Sequence, residues 1–499
     1  MEPIDPFDET LEQNIRPRNW PTPTPTDRYN LVVIGAGAAG LVTAVGAAGL
    51  GAKVALIERN SLGGDCLNSG CVPSKALIKS SRVASGVQGA RQFGVKISGQ
   101  PTVNFPTAMR RMRRLRSEIS SNDAAERFRN LGIDVFFGQG QFLNSETIEV
   151  AGQRLQFAKA VIATGARAAA PPIPGLDSVP YLTNETLFSL GQLPTRMGVI
   201  GAGPIGCEMA QTFARFGSRV FLVESMHGIL PREDPDAARC VRDSLARDGV
   251  TLLCCGKELK VSRAGEAIRL QVNSHGSSYD ETVDTLLVAV GRAPNVEGLG
   301  LDAVDVVFDA KGVQVNDRLR TTNPRIFAAG DICSPYQFTH AADFMARIVI
   351  QNALFLGRAR ASALTIPWCT YTSPELAHVG LSATTAEQQN IAVDTFTQAL
   401  GEVDRAVLDG EKDGFCRIHV RKGTDRIVGA TLVASNAGDM ISEITVAMQH
   451  GIGLKKLAST IHPYPTQAEV IRKVGDQYNR TRLTPRIKRL MANWFSWTR

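Results

Sequence analysis

The stretch GGDCLNSGCVPSK, residues 63–75, places two of the chain's nine cysteines in one glycine-flanked turn, with four residues between Cys66 and Cys71. Two thiols so placed read either as a pair oxidised and reduced together or as two small buried apolar residues, where most cysteines end up. Pro73 suits the first turn of a helix, and SKALIKSSRVAS continues with good helix formers, so a helix is predicted to begin beside Cys71. A thiolate at a helix N-terminus is stabilised by the dipole and by free N–H groups, which should pull its pKa down. Lys75 follows one turn along; taken alone it reads as a solvated helix lysine.

The elements around this turn are legible from two further glycine patterns. YNLVVIGAGAAGLVTAVGAAGLGAKVALIE reads as a buried strand over 31–34, then Gly35, Gly37 and Gly40, a small-residue helix, and a second strand ending at Glu58. Glycines at that spacing allow a tight turn and let a pyrophosphate approach the helix N-terminus, and an acid about twenty residues on accepts ribose hydroxyls. MGVIGAGPIGCEMAQTFARFGSRVFLVE repeats the pattern with a strand at 198–200, Gly201, Gly203, Gly206 and Glu224. In both copies the acid lies 23 residues past the first glycine. Two dinucleotide sites in one chain imply electrons passing between them, typically from a nicotinamide to a flavin.

Composition limits the alternatives. The length of 499 residues predicts about three domains, and 43% hydrophobic with 21% charged residues describes a globular α/β enzyme. An odd number of irregularly spaced cysteines argues against a disulfide-stapled secreted scaffold. The opening MEPIDPFDETLEQ is acidic without an apolar core, and no apolar run is long enough to span a membrane, so a cytoplasmic protein is expected. A net charge of +7 suits an anionic dinucleotide or a nucleic acid and selects neither. Residues 18–28, RNWPTPTPTDR, favour an extended polyproline arm.

With two dinucleotide patterns and a close cysteine pair, the chain resembles the FAD-dependent pyridine nucleotide–disulfide oxidoreductases over about residues 30–480. The motifs that carry the likeness are GGDCLNSGCVPSK, VIATGAR (161–167), AVGRAPN (289–295) and IFAAGDI (326–332). FTHAADFMARIVIQNALF and PYPTQAE are most similar to the mercuric-reductase branch. The resemblance implies that Gly35, Gly37, Gly40, Glu58, Gly64, Thr164, Gly165 and Asp331 hold FAD. It implies likewise that Gly201, Gly203, Gly206, Glu224 and Gly291 hold the nicotinamide dinucleotide. Glu224 points to NADH, with NADPH as the alternative through Arg232, because a carboxylate repels a 2′-phosphate. By the same likeness Cys71 lies against the flavin, Cys66 is the exposed interchange thiol, and the two form the redox disulfide. Lys75 would pair with Glu208 of GPIGCE.

Disulfide reductases of this family carry a histidine directly before a Pro-Thr pair, with a glutamate five residues after that histidine. In HPYPTQAE that place belongs to Tyr464, with His462 two residues earlier and Glu469 in the glutamate position. A phenol is a poor proton shuttle near neutral pH, whereas a metal ion leaving or entering thiolates needs no protonated leaving thiol. Tyr464 and Glu469 therefore join the candidate catalytic residues.

Other features are read as structure. Cys254 and Cys255 are expected on a core strand, and the remaining cysteines show no ligand spacing, so no metal site is expected. His340 reads as packed or flavin-adjacent, and the arginines of MRRMRRLR (109–116) as a solvated helix face rather than a nucleic-acid surface. Residues 481–499 read as a basic amphipathic helix that either packs on its own dimer or makes peripheral contact with an anionic membrane.

The expected architecture is α/β, with two Rossmann-like domains and a C-terminal α+β dimerisation domain. An arm at 1–28 is followed by an FAD domain at 29–170 and 291–364, a nicotinamide-nucleotide domain at 171–290, a dimerisation domain at 365–480 and a tail at 481–499. A homodimer is implied, passing electrons from NAD(P)H through FAD to Cys66–Cys71 and on to a metal ion or small-molecule acceptor. Full-type mercuric reductases add an N-terminal metal-binding module and a C-terminal cysteine pair; residues 1–28 and the tail contain no cysteine. The alternatives are a dihydrolipoyl dehydrogenase or other disulfide reductase, and a membrane-docked redox sensor.

Overall fold

A computed structural model describes residues 5–99 and 101–499. The first part of the chain forms helix α1 (Pro6–Ile15), strand β1 (Tyr29–Ile34), α2 (Ala38–Gly49), β2 (Val54–Glu58), α3 (Gly64–Asn68) and α4 (Cys71–Gly89). There follow α5 (Phe105–Ser120), β3 (Ile133–Phe137), β4 (Gln141–Asn144), β5 (Thr147–Val150) and β6 (Gln153–Ile162). Next come β7 (Arg196–Ile200), α6 (Pro204–Phe216), β8 (Arg219–Val223), β9 (Thr285–Val288), β10 (Ile326–Ala328) and α7 (Thr339–Leu354). Among the described residues no helix is long and apolar enough to cross a membrane.

The chain divides into two compact units: Met1–Gly201 with Thr212–Val223 and Lys257–Leu364, and Ala202–Gln211 with Glu224–Gly256 and Thr365–Arg499. This division cuts through the segment 171–290 expected as one domain. Residues 202–211 group with the C-terminal part because Glu208 accepts the Tyr371 N–H at 2.9 Å and Gln211 accepts that of Ser373 at 2.7 Å.

In the first unit, β1, β2, β3, the C-terminal half of β6 and β10 form a parallel sheet in the order β3-β2-β1-β6-β10. Five of the six residues of β1 are buried, as parallel strands covered on both faces require. Its core includes Val32, Ile57, Phe136, Phe157 and Ile162. Strands β4 and β5 extend the sheet antiparallel from the start of β6. A second parallel sheet pairs β8 with β7 and β7 with β9. The two sheets are the frames of two Rossmann-like nucleotide folds, as the repeated glycine pattern predicts.

The expected extended arm at 1–28 is helical over Pro6–Ile15. Asp5 caps α1 by accepting the Phe7 N–H, Pro6 opens its first turn, and Leu11 and Ile15, four residues apart, bury one face. Residues 21–26 carry no regular element, as the prolines suggest. The arginine run also departs from a purely solvated face. From α5, Arg116 donates to the Asn68 carbonyl at 3.0 Å and to Asp8 at 2.8 Å, while Arg111 donates to the Ala76 carbonyl. These arginines hold the ends and flanks of the two helices that carry the cysteines.

The second unit contains a five-stranded antiparallel sheet: β11 (Pro367–Thr370), β12 (Glu375–Gly380), β13 (Val393–Ala399), β14 (Phe415–Arg421) and β15 (Ile427–Ala434), ordered β11-β12-β15-β14-β13. Helices α8 (Ala437–Gln449) and α9 (Glu469–Thr481) pack Ile441, Ile444, Val470 and Val474 against Ile418 and Leu432 of the sheet. Helix α10 (Pro485–Trp497) follows, with every side chain exposed.

Candidate redox active site

The turn after β1 is built so that only glycine fits. Gly35 adopts φ +102°, and a Cβ there would run into the Ala163 carbonyl; one on Gly40 would strike the Gly35 carbonyl. Gly64, at φ +54°, lies so close to the first loop that an added Cβ would stand 2.6 Å from the Gly37 Cα. Glu58 closes the loop: its Oε2 accepts the Ala36 N–H at 2.8 Å and its Oε1 the Asn60 N–H at 2.7 Å. Burial pushes its carboxyl above the ordinary range. Gly35, Glu58, Arg59, Gly140, Thr164 and Glu297 line one cleft. The Thr164 hydroxyl donates to the Asn295 carbonyl, Asn295 Nδ2 donates back to the Thr164 carbonyl at 2.9 Å, and Gly165 turns at φ +65°. These residues fit an adenine dinucleotide.

The second turn repeats the first. Gly201 has φ +100°, with an added Cβ 2.6 Å from the Ala289 carbonyl. Glu224 Oε2 accepts the Ala202 N–H at 2.8 Å, as Glu58 accepts that of Ala36, and Oε1 accepts the Met226 N–H at 2.9 Å. A Cβ on Gly203 would meet nothing within 4 Å, which leaves its backbone open to approach. Gly206 lies in the first turns of α6, and Gly291 stands at φ +144° before Arg292. Arg232 is exposed.

The two cysteines stand in the dithiol form. Cys66 lies within the five-residue helix α3, and Cys71 is the first residue of α4, so the predicted helix begins at the thiol itself. The Cys66 thiol is held well above its ordinary pKa, first by its hydrogen bond to Cys71 and then by burial. Cys71 Sγ stands 3.4 Å from Thr339 Oγ1, at the first residue of α7. Cys71 is exposed and Cys66 half-buried, the reverse of the expected order. The reason is local: Cys66 is enclosed within α3, while Cys71 heads a helix and opens toward Thr339.

Beside the pair, Arg292 makes a charged junction that sequence reading missed. Its guanidinium donates to Asp65 and to the Ala166 carbonyl, and its Nε lies 3.4 Å from Asp331 without a hydrogen bond. Burial raises the Asp331 carboxyl above its usual range, against the pull of Arg292. A buried unpartnered donor beside an uncomfortable carboxylate fits the polar chain of a flavin. Asp65 and Arg292 both fell inside quoted motifs, and Thr339 inside FTHAADF, yet nothing in their spacing announced the cluster.

Lys75 lies one turn into α4, and Glu208 is buried on α6. In the second unit, His462 is tied through Nε2 to Glu443 at 3.0 Å and through Nδ1 to the Thr460 carbonyl. Tyr464, 72% exposed, donates its hydroxyl to Asp404 at 2.9 Å, and that bond raises its pKa. Glu469 accepts from Arg472 at 2.5 Å. Neither His462 nor Tyr464 is held by Glu469. Cys254 is buried as expected, but Cys255 is not core: it sits half-exposed at φ +54°, with Sγ 3.3 Å from His227 Nδ1. The turn at Cys255 carries its side chain off the strand. His340 is exposed and stacks on Phe338 at 5.5 Å.

Residues 29–346 match the model of the pyridine nucleotide-disulphide oxidoreductases, and residues 366–474 match that family's dimerisation domain. A mercuric reductase of Staphylococcus aureus is 34% identical over 442 residues, covering 88% of this chain and 81% of that protein. A dihydrolipoyl dehydrogenase of Chlamydia trachomatis is 35% identical over 454 residues, covering 89% and 95%. Among solved structures, the HOCl-induced flavoprotein disulfide reductase RclA from Escherichia coli, as its Cu(II) complex, aligns with a TM-score of 0.79 at 28% identity, covering 91% of this chain and 100% of that one.

Proposed function

The chain belongs to the pyridine nucleotide-disulphide oxidoreductases, FAD-dependent enzymes that take electrons from NAD(P)H, and from that premise we propose that its cysteine pair delivers them to a soft metal ion rather than to a disulfide. The observation that carries this reading is the occupancy of the acid–base position. Tyr464 stands before Pro465 with its hydroxyl given to Asp404, and Glu469 is engaged by Arg472. Among the described residues no imidazole is poised on Glu469 to protonate a departing thiol, a step that disulfide reduction needs and metal reduction does not. Relatives named for both activities lie at similar identity, so likeness alone does not choose between them. A Cu(II) complex of a related reductase supports a metal acceptor.

Gly35, Gly37, Gly40 and Gly64 would cradle the FAD pyrophosphate, Glu58 the ribose, Thr164 and Gly165 the adjacent chain, and Asp331 with Arg292 the ribitol. FAD, when bound, supplies the relay by which the electron pair of one nicotinamide hydride reaches the disulfide. Gly201, Gly203, Gly206, Glu224 and Gly291 would hold NADH. Cys66 holds the proton of the reduced pair, because its hydrogen bond to Cys71 and its burial both disfavour the anion. Closing the pair to the disulfide releases two electrons and that one proton, which balances the reduction of one Hg(II) to Hg(0) or of two Cu(II) to Cu(I). Lys75 and Glu208 would steady the charge beside the flavin. The dimerisation domain supports a homodimer in which Tyr464 and Glu469 serve the partner's cysteines.

Steady-state NADH oxidation with Hg(II), Cu(II), lipoamide and glutathione disulfide tests the reading. Turnover is expected with the metal ions and slow with the disulfides. The second reading, a dihydrolipoyl dehydrogenase, draws on the half-buried His462–Glu443 pair as a displaced acid–base couple. Efficient lipoamide turnover that collapses in His462→Ala would establish it instead. A single reduction equivalent with no turnover on any acceptor would identify a sensor.

A further inference from the structure

Helix α10 and the residues leading into it are unlike the rest of the second unit. The dimerisation-domain match ends at residue 474, so this segment lies outside the shared fold. From 477 to 499 the chain carries six basic residues and no acidic one. The helix is nevertheless well started: Pro485 occupies its first turn and Thr484 accepts the Ile487 N–H.

At 100° per residue, Ile487, Leu490, Met491, Trp494, Phe495 and Trp497 fall within an arc of roughly 160°, bordered by Arg486 and Lys488. None of that arc is covered. Leu490 is 73% exposed and Trp497 79%, and the Trp494 and Trp497 rings lie against each other at 5.4 Å. An apolar face with clustered tryptophans, edged by cations and lacking any anion, fits the boundary between headgroups and acyl chains of an anionic bilayer. The geometry points to α10 as an in-plane anchor that docks the enzyme on an anionic lipid surface. The charge pattern sets this occupant apart: a second copy of the same tail would bring six positive charges against six.

Full-length holoenzyme is floated with vesicles of phosphatidylcholine mixed with phosphatidylglycerol, and with phosphatidylcholine alone. Binding to the mixed vesicles at low salt is expected, with release as salt rises and a blue shift of tryptophan emission on binding. Lys488→Glu with Arg489→Glu should weaken binding by about thirtyfold or more, given the attraction of each cation to the surface. Leu490→Ser with Trp494→Ser should abolish it. Both variants should keep the NADH-dependent turnover of the parent in solution, since none of these residues belongs to the nucleotide or thiol sites. Equal partition to neutral and mixed vesicles, or no partition to either, would overturn the proposal. So would a fall in particle mass of either variant by sedimentation, which would place the helix on a second copy.

Discussion

Cys66 and Cys71 have unequal surroundings, and that inequality makes their roles separable. The Cys66 thiol is held above its ordinary pKa by its hydrogen bond to Cys71 and by burial, while Cys71 heads α4, where a helix dipole favours an anion. On two-electron reduction of the holoenzyme, a long-wavelength thiolate-to-flavin charge-transfer band is expected. Cys71→Ser should abolish it, whereas Cys66→Ser should show it before any reduction; a band that survives Cys71→Ser would reverse the assignment. The nicotinamide site turns on a single carboxylate. Glu224 accepts two backbone N–H groups in the loop that the family likeness gives to a ribose, and a carboxylate so placed would repel a 2′-phosphate. NADH should exceed NADPH in kcat/KM by at least about tenfold, about 1.4 kcal/mol, and a preference for NADPH would mean that Arg232 reaches the phosphate.

At the scale of elements, the glycine loops were legible because their constraint is local. Gly35, Gly40 and Gly201 sit where the chain's own backbone leaves no room for a Cβ, so the residue type and its spacing carry the whole message. Of the Asp65–Arg292–Asp331 junction only Asp331 was legible, since Asp65 and Arg292 come from distant parts of the chain and each alone looks like an ordinary surface charge. Helix α1 escaped notice for a similar reason: only Leu11 and Ile15 mark its buried face, among acids that suggest solvent. Strand β11 carries another long-range contact with a measurable consequence. Trp368 donates its indole N–H to Glu233 at 2.8 Å and its ring lies tilted against that of His378 at 4.6 Å, while the other Glu233 oxygen is buried without a partner. Burial pushes the Glu233 carboxyl up to about 7 from 4.5. A group whose pKa is raised by folding contributes stability that is present below its unfolded value and lost as pH rises through the folded one. Glu233→Gln should therefore stabilise the protein by on the order of 2–3 kcal/mol at about pH 8 and by little at about pH 4. Urea midpoints at the two pH values would show it, and an equal effect at both would exclude Glu233 as the titrating group.

At the scale of the whole molecule, the question is whose tyrosine serves which cysteines. Within one protomer Tyr464 is 72% exposed and Ile461 94%, and both belong to the segment that family likeness sends across a dimer interface. On the proposed reading the site is divided between chains: Cys66 and Cys71 would come from one, Tyr464 and Glu469 from the other. Division makes a specific prediction about mixtures. Tyr464→Phe chains should have impaired metal-ion turnover and Cys71→Ser chains none, because each lacks one half of both sites. If the halves come from different subunits, a mixed dimer has one site with both lesions and one with neither. Random reassortment makes about half the dimers mixed, so turnover attributable to intact sites should recover to about a quarter of the wild-type level, above the residual activity of the tyrosine variant. If Tyr464 instead serves the cysteines of its own chain, no mixed dimer contains an intact site. The mixture would then turn over no faster than the average of its parents, and the proposed sharing of Tyr464 and Glu469 across the dimer would fall with it.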